Sequence, residues 1–160
     1  MTTIATLHEA VTRGNVVATK ELLDADISAV NATNDDGWTA LHLAAHYGFR
    51  DVAELLLAAG ADVNTRSANE MANTALHTAA AGQQAELAVL LLSHGADVNA
   101  TQHGGFTALH SAAQNGQADL VTLLLTRGAD ATATTDDGHT ARDLAQAGDY
   151  RAVLDMFDAQ

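Results

Sequence analysis

Cysteine and proline are both absent from this chain of 160 residues, and only six side chains are aromatic: Trp38, Tyr47, Phe49, Phe106, Tyr150 and Phe157. The lack of cysteine excludes disulfides, thiolate chemistry and cysteine-bound zinc or iron–sulfur centres. Without proline there is no Pro-Gly tract, and neither a linker nor a low-complexity segment divides the sequence. Basic residues are scarce too, 7 against 20 acidic ones, for a formal net charge of −13. Such a surface repels phosphate backbones, and it has no Lys/Arg stripe to drive nucleic-acid binding by counterion release. Anionic membrane surfaces are disfavoured for the same reason. No apolar run approaches the roughly 20 residues of a membrane span. The start, Met1-Thr2-Thr3-Ile4, has neither the basic residue nor the apolar core of a secretory signal, so cytoplasmic residence is expected. At 48% hydrophobic residues the chain can still bury a sizeable core.

What is present is repetition. Thr39-Ala40-Leu41-His42, Thr74-Ala75-Leu76-His77 and Thr107-Ala108-Leu109-His110 are followed by a degraded Thr140-Ala141-Arg142-Asp143, at steps of 35, 33 and 33 residues. A fixed period of this size signals stacked units, so whatever recurs with it is read first as structural. Alanine pairs follow each phrase (Ala44-Ala45, Ala79-Ala80, Ala112-Ala113), then leucine triplets beginning at Leu55, Leu90 and Leu123. The units close on Gly60-Ala61-Asp62-Val63-Asn64, Gly95-Ala96-Asp97-Val98-Asn99 and Gly128-Ala129-Asp130-Ala131-Thr132. Leu7-His8-Glu9-Ala10, Gly14-Asn15 and Leu22-Leu23 echo the same order upstream. Spacing of i, i+3, i+4 at Val52, Leu55 and Leu56 predicts an amphipathic helix. Helices this short are marginal alone in water, so each unit must bury its leucines against a neighbour.

These residues resemble the ankyrin repeat, with its Thr-x-Leu-His opening and Gly-Ala-Asp-Val-Asn ending, from about Thr6 to about Phe157. The resemblance implies an all-α solenoid of about five helix-turn-helix units joined by hairpin-like loops. The alanine-rich first helices are expected on the concave side. We place the repeats at about residues 5–33, 34–66, 67–101, 102–134 and 135–160 of a single domain. The first and last read as caps, because a repeat stack needs polar outer faces at its ends. Glu9, Arg13, Lys20 and Glu21 mark one cap, and Arg142 with Asp143 the other.

Constellations that suggest chemistry dissolve under this periodicity. His42, His77 and His110 recur with the unit, and stacked helices roughly 8–10 Å apart cannot bring their rings onto one ion at ~2 Å. Asp35-Asp36-Gly37 and Asp136-Asp137-Gly138 lack the spaced ligands of a calcium loop, and Asp-Gly is chiefly a turn signal. No phosphate loop, nucleophile elbow or His-Glu-x-x-His is present. No cofactor is expected.

The variable surface remains. In the ankyrin family the loop tips and the outward positions of the first helix form the usual partner-binding face. Carried onto this sequence, that face holds Asp35, Asp36, Trp38, His46, Tyr47, Glu70, Met71, His103, Phe106, Gln114, Asn115 and His139. Trp38, Tyr47 and Phe106 are candidate anchors, each expected to be at least half exposed, and packing on the next repeat is the competing role for Trp38 and Phe106. Two residues are inserted in Ser67-Ala68-Asn69-Glu70-Met71-Ala72-Asn73, a thermodynamically cheap change that drift explains unless Glu70 and Met71 are contacts. Gln83 stands where Gly48 and Gly116 stand in other units, which puts the shape of that helical corner in doubt. The sequence thus points to a monomeric, non-enzymatic module, an adaptor or steric inhibitor. Its partner is expected to be another protein with a basic or mixed patch. The alternative is a metal-dependent or enzymatic protein using His46, Tyr47, His103 and the tip aspartates. A nucleic-acid or small-ligand binder is a third reading, opposed by charge in the first case and without an implied enclosed pocket in the second.

Overall fold

A computed structural model describes residues 3–159; Met1 and Thr2, part of the start read above as no leader, lie outside the described residues, as does Gln160. The described chain is five helix pairs. They are α1 (Thr3–Thr12) with α2 (Val16–Ala25), α3 (Ala40–Tyr47) with α4 (Arg50–Ala58), α5 (Ala75–Ala81) with α6 (Ala85–Ser93), α7 (Ala108–Gln114) with α8 (Ala118–Thr126), and α9 (Ala141–Ala147) with α10 (Arg151–Asp158). The first helices pack on one another in chain order, and so do the second helices, giving two parallel rows. Isolated antiparallel bridges Thr33–Thr39 and Thr134–Thr140 close two of the intervening loops as hairpins. Among the described residues no helix is long and apolar enough to cross a membrane.

The repeated phrase explains both where the inner helices start and how the units join. The threonine sits at the N-cap in extended backbone, and the imidazole Nδ1 three residues on accepts its backbone N–H, at 3.3 Å for Thr39–His42, 3.2 Å for Thr74–His77 and 3.1 Å for Thr107–His110. With Nδ1 accepting, Nε2 carries the hydrogen. It donates across the repeat boundary to the carbonyl of Asn73 (2.8 Å), Phe106 (3.1 Å) and His139 (3.2 Å) from His42, His77 and His110 respectively. In the first unit His8 Nε2 reaches the Trp38 carbonyl at 3.1 Å. The fifth unit has an aspartate in place of the histidine. There Asp143 keeps only the local half, accepting from the Thr140 backbone N–H and hydroxyl at 2.8 Å each.

The closing asparagines form a second ladder on the far edge. Asn31, Asn64 and Asn99 each accept the backbone N–H of the next unit's Asp62, Asp97 or Asp130 at 2.8 Å. Their amides donate back to the Gly60, Gly95 and Gly128 carbonyls at 3.1–3.2 Å. Between the ladders lies the apolar filling: Leu41, Leu56, Leu76, Leu91, Leu109 and Leu124 are buried, and the alanine pairs have no exposed surface. Close packing of alanines lets the inner row approach tightly.

Gly48 and Gly116 turn the corner between paired helices with φ +76° and +68°, in the left-handed region. Gln83 adopts the same conformation, φ +60°, and Asp149 does so in the last unit, φ +53°. The doubt raised by Gln83 is therefore resolved: the corner keeps its shape, and a residue with a Cβ holds the left-handed backbone there.

Candidate partner-binding face

The four loops that follow the outer helices project beside the inner row as fingers, and a third set of hydrogen bonds ties them together. Ala68 N–H donates to Gly37 O (2.7 Å), His103 N–H to Met71 O (2.9 Å) and Asp136 N–H to Gly104 O (2.9 Å). Each bond crosses from one finger to the next. The Arg66 guanidinium adds a further strap, donating to the carbonyls of Ala72 and Thr101. The finger with two inserted residues folds on itself: Asn73 N–H donates to Ser67 Oγ at 2.9 Å, Met71 N–H to Asn69 Oδ1 at 3.1 Å, and Ala72 takes φ +48°. Gly37 has no alternative, because a Cβ there would lie 2.7 Å from the Asn69 backbone nitrogen and 2.8 Å from the Ala68 carbonyl carbon. The fingers are thus a continuous, preformed rim.

Two hollows open between this rim and the inner helices. The first, about 340 Å³, is bounded by Asn34, Asp36 and Trp38 of the first finger, Leu43, His46 and Tyr47 of α3, and Asn69 of the second finger. The second, about 660 Å³, is bounded by Met71, by Gln102, His103, Gly104 and Phe106 of the third finger, by Ala81, Ser111 and Gln114 of the helices, by Asn115 just past α7, and by Asp137. Of the residues anticipated from sequence, Asp36, Trp38, His46 and Tyr47 meet in the first hollow, and Met71, His103, Phe106, Gln114 and Asn115 in the second. Asp35, Glu70 and His139 are exposed on the fingers but bound neither.

The exposure expected of the three aromatics is corrected. Trp38 and Phe106 are only partly exposed, and Tyr47 is 45% exposed, short of half. Trp38 packs against the core and against two imidazoles, with ring centroids 6.3 Å from His42 and 5.4 Å from His46. Phe106 tilts over His110 at 5.7 Å. The carbonyls of both residues receive the inter-repeat histidine bonds, so Trp38 and Phe106 are held by the stack while their rings border the groove. Packing and groove-lining are combined in one residue.

Sequence reasoning missed Leu43 and Ser111, which occupy the slot after the histidine. That slot reads Leu43, Thr78 and Ser111 in successive copies, and its variation within an otherwise constant phrase was the available signal. Asn34, Asn69, Gln102, Gly104 and Asp137, which lie within the finger segments, and Ala81, an outward position at the end of α5, also border the hollows.

The electrostatics separate structural from accessible groups. Burial holds the imidazoles of His42, His77 and His110 below the ordinary value, and His77 falls to about 4, although carbonyl bonds oppose the shift. These rings are neutral clasps. Among the described residues no three His, Asp or Glu side chains are grouped to hold a metal ion. Five of the basic side chains pair with carboxylates on or beside the helices, Arg13–Glu9, Lys20–Asp24, Arg50–Glu54, Arg142–Asp158 and Arg151–Asp149. The finger carboxylates Asp35, Asp36, Glu70, Asp136 and Asp137 have no such ion pair among the described residues.

The helix pairs, the threonine–histidine clasp and the finger rim define a helical repeat protein with a preformed rim. The family model described as ankyrin repeats (three copies) matches residues 3–67 and 66–135. The chain belongs to the ankyrin-repeat family. It is similar to protein phosphatase 1 regulatory subunit 27 of Mus musculus, 43% identical over 61 residues, covering 37% of this chain and 38% of that protein. It is also similar to the 2-5A-dependent ribonuclease of Mus musculus, 42% identical over 66 residues, 41% of this chain and 9% of that protein. A third relative is the transient receptor potential cation channel subfamily A member 1 homolog of Caenorhabditis elegans, 43% identical over 61 residues, 38% of this chain and 5% of that protein. The chain spans well under half the length of each of these relatives.

Proposed function

We propose that this protein is a non-enzymatic binding module that docks a partner protein along the finger face and acts as an adaptor or steric inhibitor of it. The observation that carries the reading is the bonded rim: finger joined to finger by backbone bonds at 2.7–2.9 Å, beside two hollows lined by variable residues. A face already ordered before binding avoids the entropic cost of assembling it. Unpaired carboxylates along the rim favour a partner with a basic or mixed patch. The phosphatase regulatory subunit offers a precedent in name for regulation by binding. We take the module to act as a cytoplasmic monomer, its first and last helix pairs carrying exposed ion pairs such as Glu9–Arg13 and Arg142–Asp158.

Affinity capture with three purified proteins tests this: the unaltered chain, Met71→Glu on the rim, and Val89→Glu on exposed α6 away from it. Proteins lost with Met71→Glu but retained with Val89→Glu are the expected partners. Identical capture by all three proteins rejects the finger face.

A further inference from the structure

The first hollow has the chemistry of a cation site. Its three rings meet almost at right angles, with Trp38 and His46 at 5.4 Å and 75°, and His46 and Tyr47 at 4.8 Å and 82°. Tyr47 is braced by Phe49, stacked at 5.7 Å and 24°. Trp38 is fixed through its backbone, its N–H donating to Asn34 Oδ1 at 2.9 Å and its carbonyl accepting from His8. The cage is therefore held in place before any guest arrives.

The polar groups around it are unequally committed. Asn34 Oδ1 accepts the Asp36 and Trp38 N–H groups, and the Asn69 amide donates to the Asp36 carbonyl at 3.1 Å. The Asn34 oxygen and both ends of the Asn69 amide are engaged in shaping the fingers. The Asp36 carboxylate has neither an ion pair nor a side-chain hydrogen bond among the described residues. An apolar guest that covered that carboxylate would strip its water and return nothing. A cation satisfies it, and aromatic faces attract cations further. Between the two biological cations, guanidinium is planar, weakly hydrated and able both to stack on a ring and to fork onto a carboxylate, whereas ammonium is a compact, strongly hydrated point.

We propose that this hollow receives an arginine side chain of the partner, its guanidinium lying against the Trp38–Tyr47 cage and paired with Asp36. The proposal rests on the finger-face reading and names the chemistry of one contact within it. Trp38 is the chain's only tryptophan, so intrinsic fluorescence reports on this hollow directly. The probes are the tripeptides acetyl-Gly-X-Gly-amide with X as arginine, its uncharged isostere citrulline, lysine or leucine. The arginine peptide is expected to shift Trp38 emission saturably, and the citrulline, lysine and leucine peptides to bind at least fivefold more weakly. Asp36→Asn and Tyr47→Leu, both at exposed positions, should weaken the arginine peptide at least fivefold with unchanged melting temperatures. Equal binding by citrulline or leucine, lysine binding as tight as arginine, or no saturable response overturns the arginine site. None of those results touches the finger face itself, because capture by the rim variants reads that separately.

Discussion

Gln83 holds a left-handed backbone that costs an L-residue with a Cβ about 1 kcal/mol, and its side chain is exposed, with nothing bonded to offset the strain. Gln83→Gly should raise the stability measured by urea unfolding by about 0.5–1 kcal/mol and slow amide exchange from Gly82 to Ala85, which as the strained corner should otherwise exchange fastest among the internal repeats. A lowered urea midpoint would mean that the side chain contributes something the geometry does not display. The clasp histidines carry a second consequence at this scale. Burial lowers the folded-state values of His42, His77 and His110, His77 to about 4, while an unfolded imidazole titrates near 6.5. As pH falls through 6.5 the unfolded chain therefore takes up protons first. The contribution of the neutral clasp is complete above about pH 6.5 and is lost progressively toward pH 4. Protonation would also place a hydrogen on Nδ1 facing the threonine N–H that it now accepts. The urea midpoint should fall between pH 7 and pH 5, and His77→Gln should flatten that slope. Asp26, Asp130 and Asp143, held below the usual carboxylate range mainly by hydrogen bonds, add a further loss only below about pH 4. A pH-independent midpoint above pH 5 would remove the burial argument.

At the scale of the helix pair, the two rows and the asparagine ladder contribute unequally. Leu91 on α6 is fully buried between neighbouring repeats, so Leu91→Ala should cost about 2–5 kcal/mol and weaken both halves of the stack. Asn64→Ala removes two exposed hydrogen bonds to the next unit and should cost only about 1–2 kcal/mol. Urea midpoints of the two variants give the ranking, and a reversed order would place the coupling between repeats in the polar edge. The leucines were legible in advance because helical periodicity and repetition both mark them. The asparagine was visible as part of a recurring pentapeptide but not as a staple, since its partners are backbone atoms 29 to 33 residues away. The finger-to-finger bonds are backbone to backbone and leave no side-chain signature. The finger segments were marked by the resemblance, yet the two hollows between them and the inner helices were not, and of the two roles weighed for Trp38 the sequence could not show that packing and groove-lining are combined. Both depend on how one unit's finger leans on the next unit's neighbour. Asp143, read from the sequence as part of a degraded phrase at a cap, keeps the local threonine bonds of the clasp without the imidazole's second nitrogen.

For the molecule as a whole, a net charge of −13 with carboxylates left unpaired along the rim separates the rate of encounter from the strength of the complex. Asp35 lies outside both hollows, so Asp35→Asn should slow association with a basic partner and reduce its salt dependence, with little change in dissociation. The aromatics should behave in the opposite way, and differently from each other. Tyr47 is 45% exposed and bounds the first hollow, so Tyr47→Ala should leave melting nearly unchanged while weakening partner binding by about 2 kcal/mol or more. Trp38 packs on the core as well as facing the groove, so Trp38→Ala should lose binding and also about 1–2 kcal/mol of stability, less than a fully buried aromatic would. Melting and partner affinity, measured on each variant at a temperature where it is folded, keep these effects apart. A destabilised Trp38→Ala that binds normally once folded would reduce Trp38 to a packing residue. Tyr47 would then be the only aromatic anchor of the first hollow.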